Sequence, residues 1–244
     1  MIEVRGLAKY YGRQSALRGL DLRIARGDFI ALFGRNGAGK TTFLRILAGL
    51  ARPSAGTCRI APAAGGAGGE TPARTRGRIG YLSHHTSLYP DLTALENLRF
   101  FAHLAGVPAD DPSLAGKIGA VGLAGREREP VRTYSRGMQQ RLGIARALLH
   151  DPDILLLDEP FTGLDQAGAD FLKGYLAGAR RAGKTCVMAL HDAGLGHQLA
   201  SRLVVIDRGT AALDVERDSL PLDAFRERYA AILGPRPPAG GGAS

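Results

Sequence analysis

Residues 29–50, "FIALFGRNGAGKTTFLRILAGL", bring together three patterns that predict one local fold. Residues 29–34 form an apolar run with the length and composition of a buried strand. The glycine-rich stretch that follows fits G-x-x-x-x-G-K-[ST], and the residues after it have the apolar spacing of a helix. The order strand, glycine loop, helix is the context that this phosphate-binding motif requires. We therefore expect a phosphate site here, rather than an ordinary turn between a strand and a helix.

Each residue type in this loop suits a bound phosphate. Glycines let backbone amides turn toward the anion without a Cβ clash, and the helix N-terminus adds its dipole. Lys40 can reach the β- and γ-phosphates, and the Thr41 hydroxyl can ligate Mg²⁺. The loop residues predicted to contact the nucleotide are Gly34, Arg35, Asn36, Gly37, Ala38, Gly39, Lys40, Thr41 and Thr42.

A second motif, "ILLLDEP", lies at residues 154–160. Asp158 ends an apolar strand, where a carboxylate is costly unless it serves a cation, so we predict that it holds Mg²⁺ with Thr41. Glu159 is then placed to orient or deprotonate an attacking water. Alone, the pair would suggest only a strand end and a turn; beside a phosphate loop, the catalytic interpretation is favoured.

Short apolar runs alternate with helical patterns, which predicts an α/β fold with a mostly parallel sheet between helices. The predicted strands are residues 29–34, 154–158, 186–191 and 203–207. We expect a single domain over residues 1–233. Within it we predict a flexible loop at 61–76, rich in Gly, Ala and Pro, and a disordered tail follows at 234–244.

Residues 91–150 have helical patterns and no convincing strand, which predicts a helical insert. Thr93 and Glu96 form a capping box at the start of one predicted helix. Its expected apolar stripe is Leu95, Leu98, Phe101, Ala102 and Ala105. A second helix is predicted over residues 136–149, with Met138, Leu142, Ala145 and Leu149 on one stripe.

Composition sets broad limits on the kind of protein. The chain has 244 residues, 45% hydrophobic, and no apolar run of the roughly 20 residues that cross a bilayer. The N-terminus lacks the apolar centre of a signal peptide, and two distant cysteines suit reduced thiols, so we expect a cytoplasmic protein. The net charge of +9 fits either an anionic partner or a generally basic surface.

Residues 134–141, "YSRGMQQR", carry the first family resemblance. The chain resembles the ATP-binding cassette (ABC) ATPases, whose signature is Leu-Ser-Gly-Gly-Gln. Ser135, Gly137 and Gln139 match this signature, whereas Tyr134 and Arg136 depart from it. In isolation, such a serine would be only a helix N-cap. The resemblance implies a P-loop NTPase (RecA-like) core with helices on both faces, an N-terminal antiparallel β subdomain and an inserted α-helical subdomain.

Further motifs follow in the order of that family. The resemblance implies that Tyr11 in "KYYG" stacks on adenine, although a core tyrosine is the alternative and Tyr10 lies beside it. It implies that Asp165 in "FTGLD" lies in the loop that links two subunits. It also implies that His191 in "ALHD" senses the γ-phosphate.

The stretch "YLSHHTSLYP", residues 81–90, is the main departure from the family. Relatives have a glutamine that binds Mg²⁺ and the attacking water where this chain has His84. Adjacent histidines on a strand point to opposite faces, so a shared zinc ion is disfavoured. Because Mg²⁺ prefers oxygen ligands, the resemblance implies a catalytic role for His84 through water or phosphate rather than direct metal contact. The alternative is that a neighbour, Ser83 or His85, supplies part of this function.

The resemblance also implies a function. It indicates an ATPase that uses ATP and Mg²⁺, bound to membrane-spanning transporter subunits on the inner face of the cell membrane. The signature of one subunit closes over the nucleotide of another, so we expect a homodimer, or a pair with a second ATPase subunit, with ATP at the interface. No nucleic acid partner is expected.

Two features of the sequence resemble one subgroup of this family. His84 and the run "LYPDLTALENL" are similar to the haem exporter, or cytochrome c maturation, ATPases. The alternatives are an exporter of drugs, lipids or another cargo, and, less favoured, a soluble ABC ATPase acting on nucleic acid or the ribosome. A binding module without turnover conflicts with the presence of Glu159.

Overall fold

The computed structural model describes residues 1–61, 70–72, 75–84 and 86–234. Across these residues the strands are β1 (Ile2–Tyr11), β2 (Gln14–Ile24), β3 (Phe29–Phe33), β4 (Ala55–Ile60), β5 (Ile79–Leu82), β6 (Ile154–Asp158), β7 (Thr185–Ala189), β8 (Arg202–Asp207) and β9 (Thr210–Glu216). The helices are α1 (Lys40–Leu47), α2 (Ala94–Ala105), α3 (Asp111–Ala120), α4 (Arg136–Ala147), α5 (Gln166–Arg181), α6 (Ala193–Leu199) and α7 (Leu222–Leu233).

The central sheet has the strand order β5-β6-β7-β3-β8-β9. Its first five strands pair in parallel, and β9 pairs antiparallel with β8. Every residue of β3, β6 and β7 is buried, as expected of strands covered on both faces. The four strands predicted from the sequence are present within one or two residues of their predicted bounds.

Side chains of β3 alternate between two hydrophobic cores. Phe29, Ala31 and Phe33 belong to the core that packs the sheet against α4, α5 and α7. Ile30 and Leu32 belong to the other core, which packs the sheet against α1 and the N-terminal strands. The α/β class with helices on both faces is therefore confirmed.

The N-terminal strands form a separate antiparallel sheet with the order β2-β1-β4. Alternate residues of this sheet, such as Val4, Leu20 and Leu22, are buried against α1 in the second core. The predicted antiparallel β subdomain is thus confirmed, and its packing on α1 fixes that helix from the side opposite the central sheet.

The insert between β5 and β6 consists of α2, α3 and α4. The Thr93–Glu96 capping box is present at the start of α2, as predicted. Ala105 is exposed, in contrast to the prediction, because it lies beyond the last buried turn of α2. The α4 helix ends at Ala147 instead of residue 149.

Helix α3 was absent from the sequence-based prediction. Asp110 caps it by accepting a hydrogen bond from the Ser113 backbone, and only Leu114 and Ile118 of its residues are buried. Most of the predicted flexible loop, namely 62–69 and 73–74, and residues 235–244 of the predicted tail lie outside the described residues. None of the described helices has the length and apolarity needed to cross a membrane.

Both cysteines should resist alkylation in the folded protein. Cys58 and Cys186 are buried, and burial raises the pKa of the Cys58 thiol to about 12 and that of Cys186 further. Because the thiolate is the reactive species, the native chain should gain no adduct with iodoacetamide at mildly alkaline pH, as measured by intact mass. The unfolded chain is the control and should gain two. Rapid modification of the native chain at either residue would contradict the burial described.

Candidate active site

The phosphate loop connects β3 to α1 and depends on glycine for its shape. Gly34, Gly37 and Gly39 have φ angles of 145°, 79° and 112°. A Cβ on Gly34 would lie 2.2 Å from the Ile206 carbonyl oxygen, and one on Gly39 would lie 2.5 Å from that of Ala16. Larger residues at these two positions would therefore displace backbone and open the loop.

Lys40 is enclosed by the loop that precedes it. Its side chain is 6% exposed, and its ammonium donates to the carbonyl oxygens of Gly34 at 2.6 Å and Arg35 at 3.1 Å. Burial lowers the pKa of Lys40, while the negative charges of Glu159 and Asp158 oppose that shift. The ammonium is thus hydrogen-bonded to neutral carbonyl oxygens and not to a carboxylate, so its positive charge remains available to an anion.

A cleft of about 740 Å³ opens above the loop. Most of the predicted phosphate-loop residues line it, together with His84, Asp158, Glu159 and His191. Ala38 is buried, and its backbone N–H donates to the Arg35 carbonyl at 3.1 Å. The Arg35 guanidinium extends in another direction and donates to the carbonyls of Leu233 and Gly234 at the end of α7.

Asp158 lies at the carboxyl end of β6 and is only 2% exposed. Burial raises its pKa, although a hydrogen bond from the Thr41 side chain acts in the opposite direction. Its Oδ2 atom is buried and has no hydrogen-bond partner among the described residues. A buried, unsatisfied carboxylate oxygen beside a hydroxyl is a donor set that fits a hard divalent cation such as Mg²⁺.

Glu159 follows directly and has a φ of 53°, a value that few residues other than glycine adopt. Its backbone is held by hydrogen bonds to Ala189 and Thr162. This conformation directs the carboxylate into the cleft. A strained backbone that its surroundings hold in place is typical of residues with a positional role.

Two histidines face the Glu159 carboxylate. His191 Nε2 lies 2.6 Å from Oε1, and His84 Nδ1 lies 3.9 Å from Oε2. Partial burial would raise the pKa of Glu159, but the His191 hydrogen bond, with the charges of His191, His84 and Lys40, lowers it below its ordinary value. The carboxylate is thus kept ionised, as a hydrogen-bond acceptor or base must be.

The signature residues lie at the start of α4. Ser135 caps the helix by accepting from the Met138 backbone at 3.2 Å, and Gln139 donates to the carbonyls of Val131 and Tyr134. Tyr134, which replaces the family's leucine, is buried and donates through its hydroxyl to the Arg126 carbonyl at 2.7 Å. The departure from the family's signature is therefore accommodated by a satisfied hydroxyl.

The signature does not border the phosphate-loop cleft. Gln139 and Arg136 line a second cleft, of about 770 Å³, whose wall also includes His84 and Glu159. Gly137 faces the chain after β6, because a Cβ on it would lie 2.9 Å from the Gly163 carbonyl. His84 and Glu159 therefore border both clefts.

Asp165 and Tyr11 occupy the edges of this region. Asp165 caps α5 through the Gly168 backbone and pairs with Arg141, which lowers the pKa of Asp165; it does not border the phosphate-loop cleft. Tyr11 is 46% exposed at the mouth of the cleft, with the Lys9 ammonium 5.1 Å from its ring centroid. Tyr10 does not line the cleft, so the geometry favours Tyr11 as the aromatic contact.

Some cleft residues were missed by the sequence reasoning. Gln14 and Ala16 on β2, and Arg45 in the last turn of α1, also line the cleft. The basic side chain of Arg45, one helical turn beyond Thr41 and Thr42, was a signal that could have been used. His85 lies outside the described residues. Among the residues that the structure describes, no three His, Cys, Asp or Glu side chains are grouped so that they could hold a metal ion.

Comparison with known proteins places this geometry in a family. The ABC transporter family profile matches residues 17–162. Nod factor export ATP-binding protein I of Ralstonia nicotianae is 38% identical over 215 residues, 86% of this chain and 65% of that protein. Fluoroquinolones export ATP-binding protein of Mycobacterium tuberculosis is 38% identical over 221 residues, 88% of this chain and 70% of that protein. This chain thus spans about two thirds of their length.

Solved structures give the same result. A dimeric ATP-binding cassette in a post-hydrolysis state, bound to ADP and Pi, superimposes with a TM-score of 0.78 at 25% identity, covering 89% of this chain and 99% of that chain. The ATP-binding subunit of an ABC transporter gives a TM-score of 0.79 at 26% identity, covering 96% and 95%. The phosphate loop, the buried Asp158 and the histidine-bound Glu159 lie in a fold shared with these cassettes, and the chain belongs to the ABC transporter family as a P-loop ATPase domain.

Proposed function

We propose that this chain is the ATP-hydrolysing, nucleotide-binding subunit of an ABC exporter. The observation that carries the proposal is the Glu159 carboxylate, which lies 2.6 Å from His191 Nε2 at the edge of a cleft whose floor is the phosphate loop. Relatives are named as export ATP-binding proteins, which supports a transport role for the same arrangement.

Catalysis in this site would consist mainly of positioning and charge stabilisation. Lys40 and the loop amides bind the phosphates, and Tyr11 stacks on the base. Thr41 and Asp158 would hold Mg²⁺, which supplies positive charge to the β- and γ-phosphates when bound. Glu159 accepts a hydrogen bond, and then a proton, from the water that attacks the γ-phosphate.

We propose a role for His84 that differs from that of the glutamine which the family resemblance implies at this position. An imidazole offers no oxygen ligand to Mg²⁺, and here its Nδ1 faces the Glu159 carboxylate at 3.9 Å. We therefore assign His84 to the electrostatic environment of Glu159 and the attacking water. His191, at 2.6 Å, is the closer and stronger of the two contacts.

The signature residues support a dimeric enzyme. Ser135, Gly137 and Asp165 do not border the phosphate-loop cleft of their own chain, so a second subunit would present them to the nucleotide. Similar cassettes have been solved as dimers. We propose a head-to-tail pair, either a homodimer or a heterodimer with a second ATPase subunit, closed by ATP because ATP contacts both halves only in that state.

An exposed aromatic cluster on the helical insert supports attachment to a membrane subunit. Tyr89, Phe100 and Leu104 are 48%, 39% and 70% exposed, and the rings of Tyr89 and Phe100 pack edge to face at 5.0 Å. The buried Asn97 side chain holds Tyr89 by hydrogen bonds to its N–H and carbonyl. We call Tyr89, Phe100 and Leu104 the insert patch and propose that it receives a short cytoplasmic helix from that subunit.

This attachment would place the chain in the cytoplasm, on the inner face of the membrane. The patch is apolar and held in a fixed shape, which suits a helix of a protein partner. A soluble ABC ATPase acting on nucleic acid or the ribosome is the weaker alternative, since the relatives are named for export and for transport.

The cargo is proposed only as a class. The haem-export subtype rests on His84 and its flanking sequence, whereas the relatives are named for Nod factor, fluoroquinolones and a lantibiotic. We therefore propose an exporter of organic or peptide cargo ahead of a haem exporter. Nothing in the described cleft recognises a transported molecule, so cargo choice would belong to the membrane subunits.

Glu159→Gln should bind ATP, dimerise and fail to hydrolyse. The amide cannot accept the water's proton, so turnover should fall by about 10²–10⁴-fold. Equilibrium ultracentrifugation with ATP and Mg²⁺ should then show a stable dimer. Lys40→Ala should instead lose both ATP binding and dimer formation, because the loop's buried cation is removed.

Two observations would count against this proposal. Hydrolysis by Glu159→Gln at a wild-type rate would show that the base is elsewhere. A monomer that persists with bound ATP would show that the signature does not act across an interface. Glu159→Gln without nucleotide is the matched control and should remain monomeric.

His191→Ala should lower kcat by about a hundredfold, and His84→Ala by less than about tenfold. The difference follows from the distances, since 2.6 Å is a charge-assisted hydrogen bond and 3.9 Å is not. Steady-state hydrolysis at saturating ATP measures both values. Equal losses in the two variants would contradict the unequal contacts.

Tyr89→Ala combined with Leu104→Ser should detach the chain from its membrane subunits without removing basal hydrolysis. The two substitutions remove the Tyr89 ring and the Leu104 side chain, and with them much of the apolar area that the insert patch offers to a partner helix. Detergent-solubilised membranes and a tagged chain give the readout, by mass spectrometry of captured membrane proteins. Leu50→Ser, at a residue that is 53% exposed outside the patch, is the control. Unchanged capture by the double variant would move the docking surface elsewhere.

A further inference from the structure

Helix α7 packs against the residue from which the phosphate loop begins. Phe225 is fully buried, and its ring centroid lies 5.0 Å from that of Phe33, the last residue of β3. Tyr229, one turn later, lies 5.6 Å from Phe33 and stacks on Phe225 at 5.8 Å with an interplanar angle of 2°. These aromatic contacts fix the second half of α7 beside the entrance to the loop.

Polar contacts then join α7 to the next two residues of the chain. The Tyr229 hydroxyl faces the backbone of Gly34, which lowers the pKa of Tyr229 against the larger raising effect of burial. The Arg35 guanidinium donates to the carbonyl of Leu233, the last residue of α7, and at 2.9 Å to that of Gly234, which follows it. The carbonyls at a helix C-terminus lack partners within the helix and carry partial negative charge, so a guanidinium is a well-suited partner.

The same backbone is also held from inside the loop. Lys40 donates to the carbonyls of Gly34 and Arg35, the two residues that α7 holds from outside. Gly34 cannot shift freely, since its α-carbon lies against the Ile206 carbonyl. To contact a phosphate, the Lys40 ammonium has to break its hydrogen bonds to the Gly34 and Arg35 carbonyls. A displacement of the end of α7 would move these two carbonyls and so change how readily Lys40 leaves them.

We propose that Arg35 and Tyr229 are positioning residues that tie the phosphate loop to the end of α7, so that nucleotide affinity depends on how α7 is seated. The inference rests on the proposed binding of ATP in this loop. Arg35 acts here through α7 instead of through a phosphate. By thermodynamic linkage, bound nucleotide must in turn change the stability of the last turn of α7.

Fluorescence titration with mant-ATP on the full chain tests this proposal. Arg35→Ala should raise the Kd about fivefold, and Tyr229→Phe, which keeps the ring and removes the hydroxyl, should raise it about threefold. Arg35→Lys should restore part of the affinity because an ammonium can still reach one carbonyl. In hydrolysis assays, the change should appear in KM more than in kcat.

Arg228→Ala is the matched control, since it also removes one arginine, and Arg228 is exposed on α7. Its Kd should stay within about twofold of wild type. A Kd for Arg35→Ala that also stayed within this range would overturn the proposal. So would an equal rise in Arg228→Ala, which would reflect net charge alone.

A double-mutant cycle separates this role from direct phosphate contact. Gly234 has a φ of 62°, so Gly234→Val should move the carbonyls that Arg35 uses. If Arg35 acts through α7, Arg35→Ala should add little to the Kd of Gly234→Val. Full additivity would overturn the proposal. Wild-type protein that bound no mant-ATP would overturn the proposed function as well, whereas binding indifferent to Arg35 would overturn this inference alone.

Discussion

The burial of two opposite charges at one edge of a parallel sheet is the constraint on which this structure depends. Lys40 and Asp158 are 6% and 2% exposed. Burial lowers the pKa of Lys40 and raises that of Asp158, which favours the neutral form of each side chain. Neighbouring loop carbonyls satisfy Lys40, and Thr41 satisfies part of Asp158. In the proposed function, a magnesium nucleotide supplies an anion to Lys40 and a cation to Asp158. The strands, glycines and flanking helices hold these two buried groups at the floor of one cleft.

Local patterns explain why much of the fold could be predicted. The strands β3 and β6 are continuous apolar runs, and the loop between β3 and α1 needs glycine at defined positions. Helix α3 was missed because its segment contains two glycines and buries only Leu114 and Ile118, which gives a weak periodic signal. The antiparallel sheet followed from family resemblance and not from periodicity.

Contacts between distant segments could not be predicted in this way. Glu159, His191 and His84 lie on three separate loops, and nothing in the sequence sets the 2.6 Å and 3.9 Å distances between them. The contact between Arg35 and the end of α7 joins residues nearly 200 positions apart. His84 and the run "LYPDLTALENL" suggested a cargo subgroup, but His84 faces the Glu159 carboxylate and so has a local role that its sequence context did not predict.

The position of Arg146 links the insert patch to the strand end that precedes His84. Its guanidinium donates to the Tyr81 carbonyl at 2.9 Å and lies 5.1 Å from the Phe101 ring centroid. Phe101 packs edge to face against Phe100 of the insert patch, at 5.3 Å. Tyr81 lies in β5, three residues before His84. Arg146 is half-buried and its Nε has no partner among the described residues, so the hydrogen bond to Tyr81 and the contact with Phe101 are its two described anchors. These contacts form one contiguous packed set from the insert patch to the strand end that precedes His84.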